Sequence, residues 1–404
     1  MNPAAVIGII AEYNPFHKGH QYQLSQVRQK FPDAPVIAVS SGSLTQRGEA
    51  PIWDKWKRTR LALLGGVDLV LELPVVYSLQ SAREFARGAV ACLQATGVVT
   101  HLSFGCETPN LALLERLAKE QPAKVQWEAA LSQGLSYAKA AEQVYGRLNP
   151  RYPALLQGSN NLLALEYLRA IGSLAPQLQP LPVLRQGSAY GSTTLEDTLA
   201  SASALRKALK RDGLTPRAAQ QFPEAELPWI RTWLAQGLCG LPEDRLSLLL
   251  SYTLECSSPA AIRTACLTSE GLEDLVYKHR RAGSFTALVE ACATRRYSPS
   301  RIRRLLWQLL LSQPDCTFSQ GANAAPTYLR VLGFSPRGQE LLRQLKQKAQ
   351  LPLVLQVNKN TLAKAPSAAF AAQLALDLRA ANLYQLLQTG TITDLDYRLP
   401  PVRL

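Results

Sequence analysis

Two histidines three residues apart, His17 and His20, flank Gly19 in the stretch GIIAEYNPFHKGHQY, within a chain that carries only four histidines. They follow a short apolar run, where a strand would pass into a helix. At such a turn the glycine lets backbone approach a ligand, the helix N-terminus favours negative charge, and two imidazoles on one face can donate to phosphate oxygens. Fixed donors aimed at the equatorial oxygens of an attacked phosphorus stabilise the charge that accumulates there, which is what nucleotidyl transfer needs. Surface or capping histidines are the plainer reading, and the strand-to-helix context favours the phosphate one.

The elements that would hold this turn are legible around it. AVIGIIA (5–11), PVIAVSSG (35–42), VDLVLELP (67–74) and VVTHLSFG (98–105) read as short strands. Residues 19–31, 54–64 and 78–95 carry helical patterns, with Phe85, Val90 and Leu93 recurring at helical spacing. Strand and helix in alternation predict an α/β fold, a Rossmann-like parallel sheet covered on both faces. Ligands bind such sheets at the carboxyl ends of the strands, where His17, Ser41, Glu72 and Gly105 fall. Further on, 111–148 turns helical, 158–171 opens a helix with asparagines near its start, 181–187 reads as a strand and 201–210 as a helix. RDGLTPRAAQQFPEAELP (211–228), with its glycine, three prolines and mixed charge, suggests a boundary. The expected division is a nucleotidyltransferase domain over 1–215 and a mainly α-helical C-terminal domain over 216–404.

Hydrophobic residues make up 47% of the 404 and charged residues 18%, a globular composition that excludes extended disorder. Forty-four Lys and Arg against thirty Asp and Glu leave a net charge of +14, which points to a polyanionic partner. The seven cysteines form no Cys-x-x-Cys pair, and His101 and His279 stand alone, so no zinc spacing emerges and metal ligands stay unassigned. Scattered thiols and a first apolar run too short for a signal or membrane segment predict a cytoplasmic protein with no membrane association. No obligate protein partner is evident.

Arg185 at a strand end could fork onto phosphate, and Asn160 could cap the helix that follows it. In SASALR (201–206), hydroxyls at a helix N-terminus followed by an arginine make Ser203 and Arg206 candidates for the β- and γ-phosphates, or ordinary caps. DKWKRTR (54–60) sets Lys55, Lys57, Arg58 and Arg60 beside Trp53 and Trp56, which suits a solvated helix face or phosphate contact with base stacking. Lys278, Arg280, Arg281, Arg295, Arg296, Arg301, Arg303 and Arg304 face Glu290 alone between 278 and 304. Ser298 and Pro299 read as a cap and first helical position, setting Arg301 and Arg304 on one face with Trp307 further along. That favours a polyanion contact through Arg295, Arg296, Arg301 and Arg304.

GIIAEYNPFHKGHQYQL, SGSLTQRGEAPIWDKWKRTRLAL, GVDLVLELPVVYSLQSAREFARGAV and SNNLLALEYL, continued by SASALRKAL, SEGLEDLVYKH and TRRYSPSRIRRLLWQLLL, resemble the tRNA(Met) cytidine acetate ligase family. These are bacterial members of the HIGH-signature nucleotidyltransferase superfamily. The resemblance implies ATP-dependent activation of acetate to acetyl-adenylate, release of pyrophosphate, and acetyl transfer to the wobble cytidine of elongator tRNA(Met), with Mg2+ accompanying ATP. It places ATP binding on Ile9, Ile10, Ala11, Glu12, Tyr13, Asn14, Pro15, Phe16, His17, Lys18, Gly19, His20, Gln21 and Tyr22, with later contacts at Gly105, Asn160 and Arg185. Catalysis would fall to His17 and His20. Ser159 stands where the family usually has proline, leaving open which of Asn160 and Asn161 meets the nucleotide, and Ser43 stands where it usually has asparagine, which speaks against a role for Ser43.

Three other functions share parts of this pattern. A cofactor-forming adenylyltransferase, acting on another carboxylate or phosphate acceptor, would leave the basic second half without a task. A class I aminoacyl-tRNA synthetase would add a Lys-Met-Ser-Lys-Ser type loop, whereas Met1 is the sole methionine. A non-catalytic RNA-binding protein with a relic nucleotide pocket would have little use for an intact His17, Gly19 and His20.

Overall fold

A computed structural model describes residues 5–108, 110–133, 135, 137–186, 199–268 and 271–404. Gly187, at the end of an expected strand, lies outside them. The first apolar run forms β1 (Ile7–Ala11), the middle of a sheet completed by β2 (Val36–Ser41), β3 (Leu69–Leu73), β4 (His101–Cys106), β5 (Gln179–Leu184), β6 (Leu329–Phe334), β7 (Leu353–Val354) and β8 (Val402–Arg403). Strand order is β5-β4-β1-β2-β3-β6-β7, with β8 also paired to β6. The pairs among β1 to β5 are parallel. Side chains alternate across the pleat, so Ile9 joins one core and its neighbour Ile10 the other.

On the Ile9 face lie α1 (Lys18–Lys30), α2 (Lys55–Leu64), α5 (Ala202–Asp212) and α6 (Leu227–Ala235). On the Ile10 face lie α3 (Ala82–Ala95), α4 (Ser159–Leu174) and α7 (Pro299–Leu311). Phe85, Val90 and Leu93 are buried there as their spacing predicts. A long helix, α8 (Ala368–Thr389), and a short one, α9 (Leu395–Arg398), precede β8. Among the described residues, no helix is long and apolar enough to cross a membrane.

The second half is mainly helical, yet three of its strands return to the sheet. β6 runs antiparallel to β3, Leu69 opposite Phe334, and covers an edge that would otherwise present unpaired amides. Its sequence, LRVLGF, is a short apolar run that periodicity alone does not separate from a buried helix. The segment 211–228 sends Ala218, Gln221, Phe222 and Glu226 inward as well. Gln221, 7% exposed, accepts the Lys18 amide at 2.8 Å.

The basic run at α2 does not form a solvated face. Trp53, Lys55, Trp56 and Arg58 are all buried. Lys55 Nζ lies 2.8 Å from both Glu72 Oε2 and Asp396 Oδ1. Arg58 donates to the carbonyls of Trp53, Glu12, Ser41 and Gly42, tying together the carboxyl ends of β1 and β2.

Candidate active site

The strand order reverses between β1 and β4, and the crevice at their carboxyl ends is where open α/β sheets place ligands. The loop from β1 enters it through Tyr13, whose φ of 45° is in the left-handed region that a tyrosine rarely adopts. His17 then caps α1. Its Nδ1 accepts the Gly19 amide at 2.9 Å, and His20 Nδ1 accepts the His17 amide at 3.3 Å. The rings sit 4.2 Å apart between centroids. With each Nδ1 accepting, the proton of each neutral imidazole resides on Nε2, which becomes the donor left for a ligand.

Both rings are held neutral. Burial first, then the Arg185 and Arg206 guanidinium groups, push His17 down to about 3. Burial, His17 and Arg185 hold His20 well below its ordinary range. The helix end supplies its charge indirectly, because its first amides are engaged: Lys18 by the Gln221 carbonyl, Gly19 by His17, and His20 and Gln21 by the His17 carbonyl. The imidazole Nε2 groups therefore extend the positive end of α1 towards the crevice.

Gly19 has a packing reason to be glycine. A Cβ there would stand 2.6 Å from His17 Cε1 and 3.0 Å from Nδ1, so the ring would have to swing off the cap. Gly19→Ala should therefore cost about 1 kcal/mol of helix capping and, by moving the donor, lower nucleotidyl transfer by at least about tenfold. A thermal melt and a pyrophosphate-exchange rate check it; parental exchange would show that the ring's position is not critical.

Across the crevice, Arg185 continues the β4–β5 pairing, its amide on the Cys106 carbonyl at 2.9 Å, and its Nη1 meets Asn160 Oδ1 at 3.2 Å. A Cβ on Gly105 would touch the Arg185 stem at 3.4 Å, so the glycine clears its path. Sequence left Asn160 and Asn161 undivided, and the structure gives them different surroundings. Asn161 is buried and accepts the Glu107 amide at 2.9 Å, while half-buried Asn160 faces Arg185. Glu107, which sequence reading passed over, accepts the amides of Asn160 at 3.1 Å and Asn161 at 2.7 Å. An acidic residue directly after FGC, with a helix N-terminus to bind, was the available signal.

Arg206 reaches the loop from α5, donating to the Asn14 carbonyl at 2.8 Å, Glu49 at 2.8 Å and Ser203 Oγ at 3.2 Å. The cap of α5 is Ser201, not Ser203, through the Ala204 amide. Within the expected nucleotide stretch, Ile9, Tyr13, Asn14 and Phe16 are buried, and the Asn14 side chain receives the Ile52 amide at 2.8 Å. Glu12 accepts the Gln46 amide at 2.6 Å, and burial raises its pKa. Ala11, Lys18 and Tyr22 are half-buried and Gln21 exposed. Among the described residues no three His, Cys, Asp or Glu side chains gather into a metal position.

The sequence family described as HIGH Nucleotidyl Transferase matches residues 4–397. A tRNA(Met) cytidine acetate ligase of Thermoanaerobacter sp. (strain X514) is 35% identical over 410 residues, spanning 99% of this chain and 100% of the relative. The chain belongs to the tRNA(Met) cytidine acetate ligase family of HIGH nucleotidyltransferases. The ligase of that name from Syntrophomonas wolfei subsp. wolfei is also 35% identical, over 95% of each chain. Among solved structures, Thermotoga maritima TmcAL in apo form I superposes with a TM-score of 0.91 at 29% identity over 99% of both chains. Its form II, bound with alpha-thio ATP, superposes at 0.88 with 29% identity over the same shares.

For a family with a tRNA in its name, the basic surface is narrower than the sequence suggests. Arg304 donates to the Gln46 carbonyl at 3.0 Å and is half-buried, burial and the neighbouring Arg301 and Arg303 pushing its pKa down to about 10. Trp307 is buried with its indole on the Gly48 carbonyl, so it does not extend an exposed face. Arg280 and Arg281 meet Glu255 at 3.5 and 2.8 Å, an acid from a helix distant in sequence. Arg295 and Arg296 are exposed, and Arg296 and Arg301 lie over Tyr297 at 5.5 and 5.4 Å.

Proposed function

We propose that this protein is an ATP-dependent ligase that activates acetate as acetyl-AMP and transfers the acetyl group to the exocyclic amine of the wobble cytidine of elongator tRNA(Met), giving 4-acetylcytidine. One observation carries the reading. Two imidazoles, locked as neutral Nε2–H donors between two arginines, stand at the β1–β4 crevice of a chain alike over its full length to ligases of that name.

In the first step an acetate oxygen attacks the α-phosphorus of ATP, the bond to the bridging oxygen breaks, and pyrophosphate leaves. His17 and His20 donate to the α-phosphate oxygens as charge builds there, and Arg185 and Arg206 supply positive charge along the triphosphate. Asn160 holds Arg185 in place. In the second step the cytidine amine attacks the acetyl carbon, AMP leaves, and the amine gives up a proton. AMP is a good leaving group, so positioning the amine is the protein's main task in transfer.

Magnesium enters as the counter-ion carried by the triphosphate. Among the described residues no group of three or more His, Cys, Asp or Glu side chains is placed to hold it. We assign activation to residues 1–215 and tRNA presentation to 216–404, with Arg295, Arg296 and Arg301 as phosphate contacts. The protein would work in the cytoplasm, where tRNA is modified, without an obligate protein partner.

Incorporation of labelled pyrophosphate into ATP, measured with and without acetate, tests the reading. Exchange should appear only with a small carboxylate, acetate best, because the carboxylate is the nucleophile. Equal exchange in both would replace acetate with another adenylyl acceptor.

A further inference from the structure

The tryptophan-rich basic run divides along α2. Lys55 and Arg58 turn inward, whereas Lys57 and Arg60, one turn apart, line a cavity of about 740 Å³ formed with α6 and the segment around β8. That volume falls within the range of roughly 300–1,000 Å³ of small-ligand sites. Its walls include Trp56, Trp229, Trp233 and Arg403, and none comes from residues 9–22, Arg185 or Arg206.

The chemistry of the cavity is aromatic and cationic together. The Arg60 guanidinium lies 4.3 Å from the centre of the Trp229 ring, and the Trp229 and Trp233 rings are 6.1 Å apart. Trp229 is 39% exposed, a large apolar surface on a helix that has a core to join. Asp54 is the one carboxylate in the lining and is already paired with Lys57. Arg60 and Arg403 lean on aromatic rings, Trp229 and Phe334. The Trp56 indole N–H is buried with no acceptor among the described residues.

We propose that this cavity receives an unpaired nucleotide of the tRNA substrate, its base stacked on Trp229 and its phosphate on Arg60 and Arg403. The proposal rests on the tRNA reading above. Splayed bases of single-stranded RNA are held by aromatic faces and guanidinium planes, and every base offers a π-face to such a platform. An acidic peptide would satisfy the arginines but has no need of the neighbouring, tilted indoles.

The test uses the full chain and titrates tRNA(Met) binding against salt for Trp229→Ala, Trp229→Phe and Arg60→Gln. Acetate-dependent exchange without tRNA serves as the control for the activation site. Trp229→Ala should weaken tRNA binding by on the order of tenfold with exchange retained, and Trp229→Phe should keep most of the affinity. Arg60→Gln should flatten the log-log salt dependence by about one. Parental affinity and slope in all three variants would overturn the proposal while leaving the ligase intact. A parent that binds no tRNA would overturn both readings. Displacement of polyglutamate by Trp229→Ala with tRNA affinity unchanged would give the cavity to an acidic protein and overturn it too. If Trp229→Ala loses exchange as well, the phenylalanine and glutamine variants decide.

Discussion

Acetate-dependent pyrophosphate exchange should fall about a hundredfold in His20→Ala, the loss of one preorganised donor worth about 3 kcal/mol at the transition state. On the proposed role, calorimetric ATP affinity should change far less, because the Nε2 proton would meet charge that develops only as the α-phosphorus is attacked. Part of any effect will be structural, since the His20 ring also accepts the His17 amide at 3.3 Å. His17→Asn separates the two roles: asparagine is a strong N-cap and can keep the Gly19 amide satisfied, so the melt should match the parent while exchange still falls. If exchange and ATP affinity fall together, the histidines bind the ground state and the catalytic assignment is wrong.

The same geometry fixes a pH response. Both rings titrate below their ordinary 6.5 in the folded protein, His17 at about 3, so the unfolded chain takes up protons first. The stability they contribute is complete above about pH 6.5 and is lost as pH falls from there through the folded values. Exchange should accordingly show no histidine inflection between about pH 6 and 8, the window in which an unperturbed imidazole would change charge. An inflection near pH 6.5 that vanishes in His20→Ala would mean that a charged imidazole acts in the reaction.

Lys55→Met should be the most damaging single change outside the crevice, costing about 3–5 kcal/mol, because Glu72 and Asp396 would be left charged in a dry site. For a cooperative unit of this length that is roughly 4–6 °C in melting temperature. Burial opposes the charge on Lys55, but Asp396 and Glu72 outweigh it and hold its pKa above the ordinary range. Arg330 remains 2.9 Å from Asp396 and can still neutralise that partner. Glu72 would lose its hydrogen-bonded cation and keep only the weaker influence of the Arg330 charge, so Lys55→Met with Glu72→Gln should recover much of the loss. A double variant no more stable than the single would show that the cost comes from packing around the lysine stem.

The sequence by itself determined the strands β1 to β5 to within a few residues, the alternation of strand and helix, and the His-x-Gly-His turn. These are local properties: side-chain period, turn glycines and caps act over a few residues. Tertiary structure decided what local pattern does not contain. DKWKRTR reads alike whether solvated or buried, and it is the distant Glu72 and Asp396 that draw Lys55 inside. Arg304 turns partly inward because the Gln46 carbonyl lies within its reach. Glu107, just past the end of β4, accepts the amides of both Asn160 and Asn161, and only the fold sends their side-chain oxygens apart, Asn160 to Arg185 and Asn161 to the Glu107 amide. The return of β6 to β3 was equally hidden, since a strand's partner is set by hydrogen bonds across the sheet and not by its own six residues. Even the donors of α1 follow this rule, because the Gln221 carbonyl occupies the Lys18 amide and helps leave the imidazole Nε2 groups as what the helix end can offer.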